Sequence, residues 1–445
     1  MELSRNKIIL FVVGGVILFF VIVILLIMLF SNNSNSRKSK SSDDFVVWMV
    51  GDSSEDASEI AEDFKKYSKI KSNVVIESFD SYDSYYYALA YAISSGTAPD
   101  IFVLNNNERN PIFENQTMGI APDIVNPNNF RKDYKPYISE QIITKTDNGT
   151  EFLLGMPVGY ETLGIFYNRR FVKASDLENI SSLRSTVGNL KEKNPDVIPI
   201  AMGNGTTVDD SEDIATNFIM MESGDKSIEG LTRKAIQGGI GNYISFGDEE
   251  GDNGYNSRFK EMTLANQTAI DLFSKGETFM VAGYPRLIKK INDKGFSSSF
   301  LLAAPFPTDS KTEAALINYN YFVINKDTKK LDLANTFVSY LSTERGIKLF
   351  LETYPYYLPA HSSFEQITDS QMIHKNYKIA ISDFYNESYS YSSFNKGIKN
   401  YYDLKIKTLL DEPEYSIDYF SRLQRSVNCK SLKAVELDDI SKNCD

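Results

Sequence analysis

Histidine, cysteine and tryptophan are nearly absent from this 445-residue chain, which holds two, two and one of them. With only His361 and His374 available, His-based metal sites and Ser-His or Cys-His nucleophiles have almost nothing to be built from. Neither Gly-x-Ser-x-Gly nor the phosphate-cradling Gly-x-x-x-x-Gly-Lys-Ser/Thr occurs. Positive charge is also short: 47 Lys and Arg against 59 Asp and Glu leave a net −12. Phosphate neutralisation needs clustered basic side chains, so no nucleic-acid partner is expected. Asp248-Glu249-Glu250-Gly251-Asp252-Asn253-Gly254 has the acidity of a calcium loop. Its glycines fall at the wrong positions and no Glu closes it. No metal, cofactor or catalytic residue is therefore expected. His361, after Leu358-Pro359-Ala360, reads as a surface loop residue.

What the chain does have begins with its first segment. Ile8 to Phe30 contains no charged or strongly polar residue, and about 20 such residues span a bilayer core. The run exceeds the ~7–15 apolar residues of a cleavable signal, and no small-residue cut site or Cys follows it. It is read as an uncleaved single transmembrane helix (1–30 with its tip) that holds the body outside the cytoplasm. Arg5 and Lys7 precede the span and Arg37, Lys38 and Lys40 follow it, so flanking charge does not orient it. Residues 31–43, rich in Ser and Asn, read as a flexible tether. At the other end Cys429 and Cys444 lie in a tail, 429–445. In an exported chain such a pair suggests a disulfide closing a short loop; two unpaired thiols are the alternative.

The length between these ends exceeds one hydrophobic core, so two lobes are expected. Phe45 to Val50 is a nearly continuous apolar run, as in a strand buried on both faces. Ala57, Ile60, Ala61, Phe64 and Tyr67 recur at helical steps. A strand over Ser72 to Phe79, a helix over Tyr85 to Ser94 and a strand over Asp100 to Leu104 complete the strand–helix alternation of a parallel α/β lobe. Ligands of such sheets bind beyond the carboxyl ends of the strands, which directs attention to Asp52 and to Asn105–Glu108. Further strands are expected at Gly164–Asn168, Thr278–Ala282, Phe300–Ala304 and Tyr321–Asn325. Amphipathic helices should run through Leu331–Leu341 and Tyr401–Leu410. Gln237-Gly238-Gly239-Ile240-Gly241 lacks a preceding strand and reads as a loop. Trp48, inside the first strand, reads as core.

Five stretches in order resemble one family. They are Val46–Asp52, Ser95-Gly96-Thr97-Ala98-Pro99-Asp100-Ile101, Gly155–Arg169, Phe273-Ser274-Lys275-Gly276-Glu277-Thr278-Phe279-Met280, and Ala303–Pro307 with Asn320–Asn325. Together they resemble the extracellular solute-binding proteins of ABC importers, in particular the sugar-binding, maltose-binding-protein-like class. The resemblance implies a periplasmic-binding-protein-like fold, two α/β lobes joined by two or three crossing segments. The lobes would be 44–159 plus 314–360, and 160–313 plus 361–428. It implies a solute receptor, not an enzyme, that captures a sugar or oligosaccharide by lobe closure and delivers it to ABC permease subunits.

Carried across residue by residue, the resemblance puts Asp52, Glu161 and Arg286 at the ligand, with Leu104–Glu108, including Asn105 and Asn107, as the far wall. Family members place stacking tryptophans where this chain has Leu104 and Arg286. Stacking must then come from tyrosines such as Tyr82, Tyr160, Tyr243, Tyr284 or Tyr319. Arg286, facing the cleft, would favour an acidic solute, since a guanidinium pairs bidentately with carboxylate or phosphate; pairing with a local Asp or Glu is the alternative. Two other functions remain open from sequence: a surface sensor or adhesin reusing the fold, and a glycan hydrolase working with two carboxylates.

Overall fold

The computed structural model describes residues 43–51, 54–107, 111–224, 231–247, 262, 265–308, 315–364 and 396–411. Ile8–Phe30, Asp52, Glu108, Asp248–Gly254, Cys429 and Cys444 lie outside the described residues. Among the described residues no helix is long and apolar enough to cross a membrane.

The chain opens with β1 (Phe45–Val50), α1 (Ser54–Ser68), β2 (Val74–Phe79), α2 (Tyr82–Ser94) and β3 (Ile101–Asn105). β1 lies between β2 and β3, parallel to both, and its continuous apolar run is buried to Met49. Trp48 is core, its ring 5.1 Å from that of Phe79. The helix α2 starts at Ser81, whose hydroxyl accepts from the Ser84 amide, as N-cap chemistry requires.

The chain then passes through β4 (Gly159–Thr162) into a second sheet. Its elements are β5 (Gly164–Asn168), α3 (Ile180–Lys193), β6 (Ile198–Ala201), α4 (Ser211–Ser223), α5 (Arg233–Ser245), α6 (Ala269–Lys275), β7 (Thr278–Gly283), α7 (Leu287–Asp293) and β8 (Leu301–Pro305). The strand order is β6-β7-β5-β8, with β7 and β8 antiparallel to β5. The glycine-rich segment expected as a loop is instead the middle of α5. A Cβ on Gly239 would lie 2.4 Å from the Ile219 backbone, so glycine is there to let α5 lie against α4.

The return path is β9 (Ile317–Asn318), β10 (Asn320–Asn325), α8 (Leu331–Leu341), α9 (Glu344–Thr353) and β11 (Leu358–Pro359). β10 adds antiparallel to β3 in the first sheet, and the short strands Thr117–Met118 and Met156–Pro157 pair with β10 in turn. β9 and β11 pair on either side of β4, so the three segments that run between the two sheets are hydrogen-bonded into one ribbon. The last described helix, α10 (Lys396–Asp411), packs on α4 and α5 of the second sheet. Its Asp411 carboxylate accepts from the Gly205 and Thr206 amides at 2.6 and 3.1 Å. One hydrophobic core runs continuously through both sheets and the ribbon.

Candidate functional site

A cleft of ≈ 220 Å³ opens where the carboxyl ends of β1 and β2 meet the ribbon. Val50 and Gly51 end β1, and Asp80, Ser81 and Tyr82 follow β2 into α2; these five form one wall. The ribbon contributes Glu161 from β4 and Asn318 from β9, and Arg286 at the start of α7 reaches in from the second sheet. Tyr354, Tyr356 and Tyr357, between α9 and β11, complete the lining.

The electrostatic centre is a three-residue ion cluster. Arg286 donates through Nη1 to Glu161 Oε2 at 2.8 Å and through Nη2 to Asp210 Oδ1 at 2.5 Å. Asp210 sits before α4 in the left-handed conformation, φ 54°, which Asp tolerates better than most residues. Beneath the guanidinium lies the Tyr284 ring, 4.4 Å away, a cation–π arrangement. The Glu161 side chain is 6% exposed, that of Asp210 18% and that of Arg286 37%. The second oxygens, Glu161 Oε1 and Asp210 Oδ2, are buried and have no hydrogen-bond partner among the described residues. Burial pushes both carboxyls above the ordinary range, against the pull of Arg286. Burial also opposes the Arg286 charge, but Asp210 and Glu161 outweigh it and hold the guanidinium protonated.

The other sequence-derived site residues fall in different places. Asn105 ends β3 with its amide Nδ2 within reach of Tyr82 Oη at 3.0 Å, Asn318 Oδ1 at 2.6 Å and Asn320 Oδ1 at 3.0 Å. Asn107 Nδ2 donates to the Ile317 carbonyl at 3.2 Å, and Asn106 and Tyr319 exchange bonds through the Tyr319 amide and carbonyl. These asparagines tie β3 to the ribbon and do not form a wall of this cleft. Tyr160, Tyr284 and Tyr319 are buried to 1% exposure or less, so none presents a ring face for stacking here. The Tyr284 hydroxyl donates to Asp213 at 2.9 Å and that of Tyr319 to Gln141 at 2.7 Å. Tyr243 is likewise core, bonded to the Asn204 carbonyl. Of the tyrosines expected at the ligand, Tyr82 lines the cleft. Arg286 does reach it, and its two terminal nitrogens are bound to protein carboxylates, the second of the two arrangements that the sequence left open for it.

Sequence reasoning missed Asp210, Asn318 and the Tyr354-Pro355-Tyr356-Tyr357 run. The run carried a signal: three tyrosines around a proline, just before the Leu358-Pro359 crossing. His361 is half-buried, its ring 5.0 Å from that of Tyr134, and away from the cleft lining. Among the described residues no cluster of His, Cys, Asp and Glu could hold a metal ion.

A family profile described as bacterial extracellular solute-binding protein matches residues 59–380, most of the chain. The chain belongs to that family. Solved structures share the fold of this solute-binding protein at low sequence identity. The ABC substrate-binding protein Lmo0181 of Listeria monocytogenes, in complex with cycloalternan, is 15% identical, with a TM-score of 0.61 over 86% of this chain and 98% of that one. The sugar-binding protein MalE of Xanthomonas citri is 15% identical, with a TM-score of 0.64 over 86% and 96%. The GacH receptor of Streptomyces glaucescens, solved unliganded and with acarbose, is 14% identical, with a TM-score of 0.61 over 91% and 99%. No curated protein sequence matches this solute-binding protein significantly.

Proposed function

We propose that this solute-binding protein captures a sugar or oligosaccharide in the cleft at the ribbon and delivers it to an ABC permease. The observation that carries the reading is the composition of the cleft: the buried Glu161 carboxylate, with one oxygen unpartnered among the described residues, beside four tyrosines. Carboxylates accept from sugar hydroxyls, and a tyrosine ring offers an apolar face to the C–H side of a pyranose. The cleft lies at the carboxyl ends of parallel strands, where open α/β sheets place ligands. The structural neighbours, one solved with cycloalternan, one with acarbose and one a sugar-binding protein, support the same ligand class.

In this reading residues 44–159 plus 314–360 and residues 160–313 plus 361–428 act as two lobes that close on the solute around the ribbon. Glu161, Arg286, Tyr82 and Asn318 contact it. Asp52, which follows Gly51 in sequence, is proposed as a further contact. Ile8–Phe30 anchors the protein in the membrane with its body extracytoplasmic, and a Cys429–Cys444 bridge closes the tail. A thermal-shift screen of the full chain against mono- and oligosaccharides tests capture. A binder at 100 times its Kd stabilises by about 2.7 kcal/mol, a shift of several degrees; a screen without any shift removes the carbohydrate assignment.

A further inference from the structure

We propose that the cleft recognises a hydroxylated ligand bearing an ammonium group, an amino sugar or aminated oligosaccharide, and discriminates against sugar acids. This deepens the saccharide-capture reading and rests on it. Arg286, the one cationic side chain lining the cleft among the described residues, is engaged by both Glu161 and Asp210. By formal charge one guanidinium faces two carboxylates among the described residues, and Asp80 on the opposite wall adds a third. An anionic ligand would have to displace a protein carboxylate from Arg286 while facing the rest, a like-charge juxtaposition in a poorly solvated space.

The unspent acceptors point the same way. Glu161, a cleft residue with a 6% exposed side chain, keeps Oε1 buried without a partner among the described residues, and Asp210 does the same with Oδ2. A buried charged acceptor left unsatisfied is costly, so a ligand donor reaching it relieves that cost. A hydroxyl donating to a carboxylate already makes a charge-assisted bond, and an ammonium group adds a Coulombic attraction to it. Tyr82, Tyr354, Tyr356 and Tyr357 ring the space, and tyrosine faces attract a cation within about 6 Å of the ring.

The cleft volume, ≈ 220 Å³, is below the ~300–1,000 Å³ of drug-sized pockets, so monosaccharides suit it as probes. Titration calorimetry of the full chain at pH 7 would compare D-glucose, D-glucosamine, D-glucuronate and putrescine. The expected result is D-glucosamine at least tenfold tighter than D-glucose, with D-glucuronate weakest. That preference should shrink in Glu161→Gln and in the exposed rim variant Asp80→Asn, and with added salt. Equal affinity for glucose and glucosamine, or tighter glucuronate, overturns the ammonium assignment while saccharide capture stands. Putrescine binding without any sugar overturns the saccharide component, and no binding by any of the four overturns both.

Discussion

Arg286 holds apart two carboxylates that would otherwise repel each other in a largely buried site. Arg286→Ala should therefore destabilise by about 2–3 kcal/mol, below the ~3–5 kcal/mol of a fully buried broken pair because the side chain is 37% exposed. Chemical denaturation measures this, and a loss under 0.5 kcal/mol would mean the cluster is already solvated. The pH dependence has a definite sign. Burial raises Glu161 above its ordinary 4.5, so the folded protein binds that proton more tightly than the unfolded chain does. The ionised group is then a cost above the folded pKa, relieved as pH falls through it towards 4.5. Relative to the parent, Glu161→Gln should be most favourable in melting temperature near pH 7.5 and lose ground on acidification to about 4.5. A gap that widens in the variant's favour would contradict the burial argument. Asp63 carries the opposite sign: its hydrogen bonds from Arg345 and Tyr340 lower it below 3.8, and that support is lost only as pH falls beneath this range. Glu161 and Arg286 could be named from their place in resembling motifs, whereas Asp210, Asn318 and the Tyr354–Tyr357 run could not. They come from segments far apart in sequence that only the folded ribbon brings together; the tyrosines around Pro355 stand out as a run, but nothing in a one-dimensional pattern places them at the cleft.

At the scale of elements, α4 and α5 show where local signals mislead. Glycine marks loops because it is conformationally free, yet Gly239 is inside a helix because Ile219 leaves no space for a methyl group. Gly239→Ala should cost about 1–3 kcal/mol by forcing the helices apart. Gly241, two residues on, has nothing within 4 Å of its Cβ position, so Gly241→Ala should gain up to about 1 kcal/mol. Equal melting temperatures for the two variants would contradict the packing account. Elements whose signal is their own hydrophobic run were legible: β1, β3, β7 and β10 lie within a residue or two of their apolar stretches. The resembling motifs also acquire physical roles. Asp100 accepts from the Val46 amide at 2.9 Å and from the Thr328 hydroxyl at 2.5 Å, pinning β1 to the loop after β10. Gly276 ends α6 at φ 76°, the left-handed turn that glycine supplies without strain.

For the whole molecule, the ribbon of β4, β9 and β11 is the feature from which function follows. It places Glu161 and Asn318 between the two sheets, so a ligand touching them and both walls couples the sheets mechanically. Small-angle scattering should show the radius of gyration falling on addition of a saturating saccharide, and an unchanged profile would argue against closure of the lobes. The central claim, that a saccharide binds at the Glu161–Arg286–Asp210 cluster, is tested most directly by calorimetric titration. The saccharide giving the largest thermal shift would be titrated into the full chain and into its Glu161→Ala variant, with circular dichroism confirming that both are folded. The account predicts saturable 1:1 binding by the parent and at least tenfold weaker binding by the variant; equal affinity in two folded proteins would contradict it.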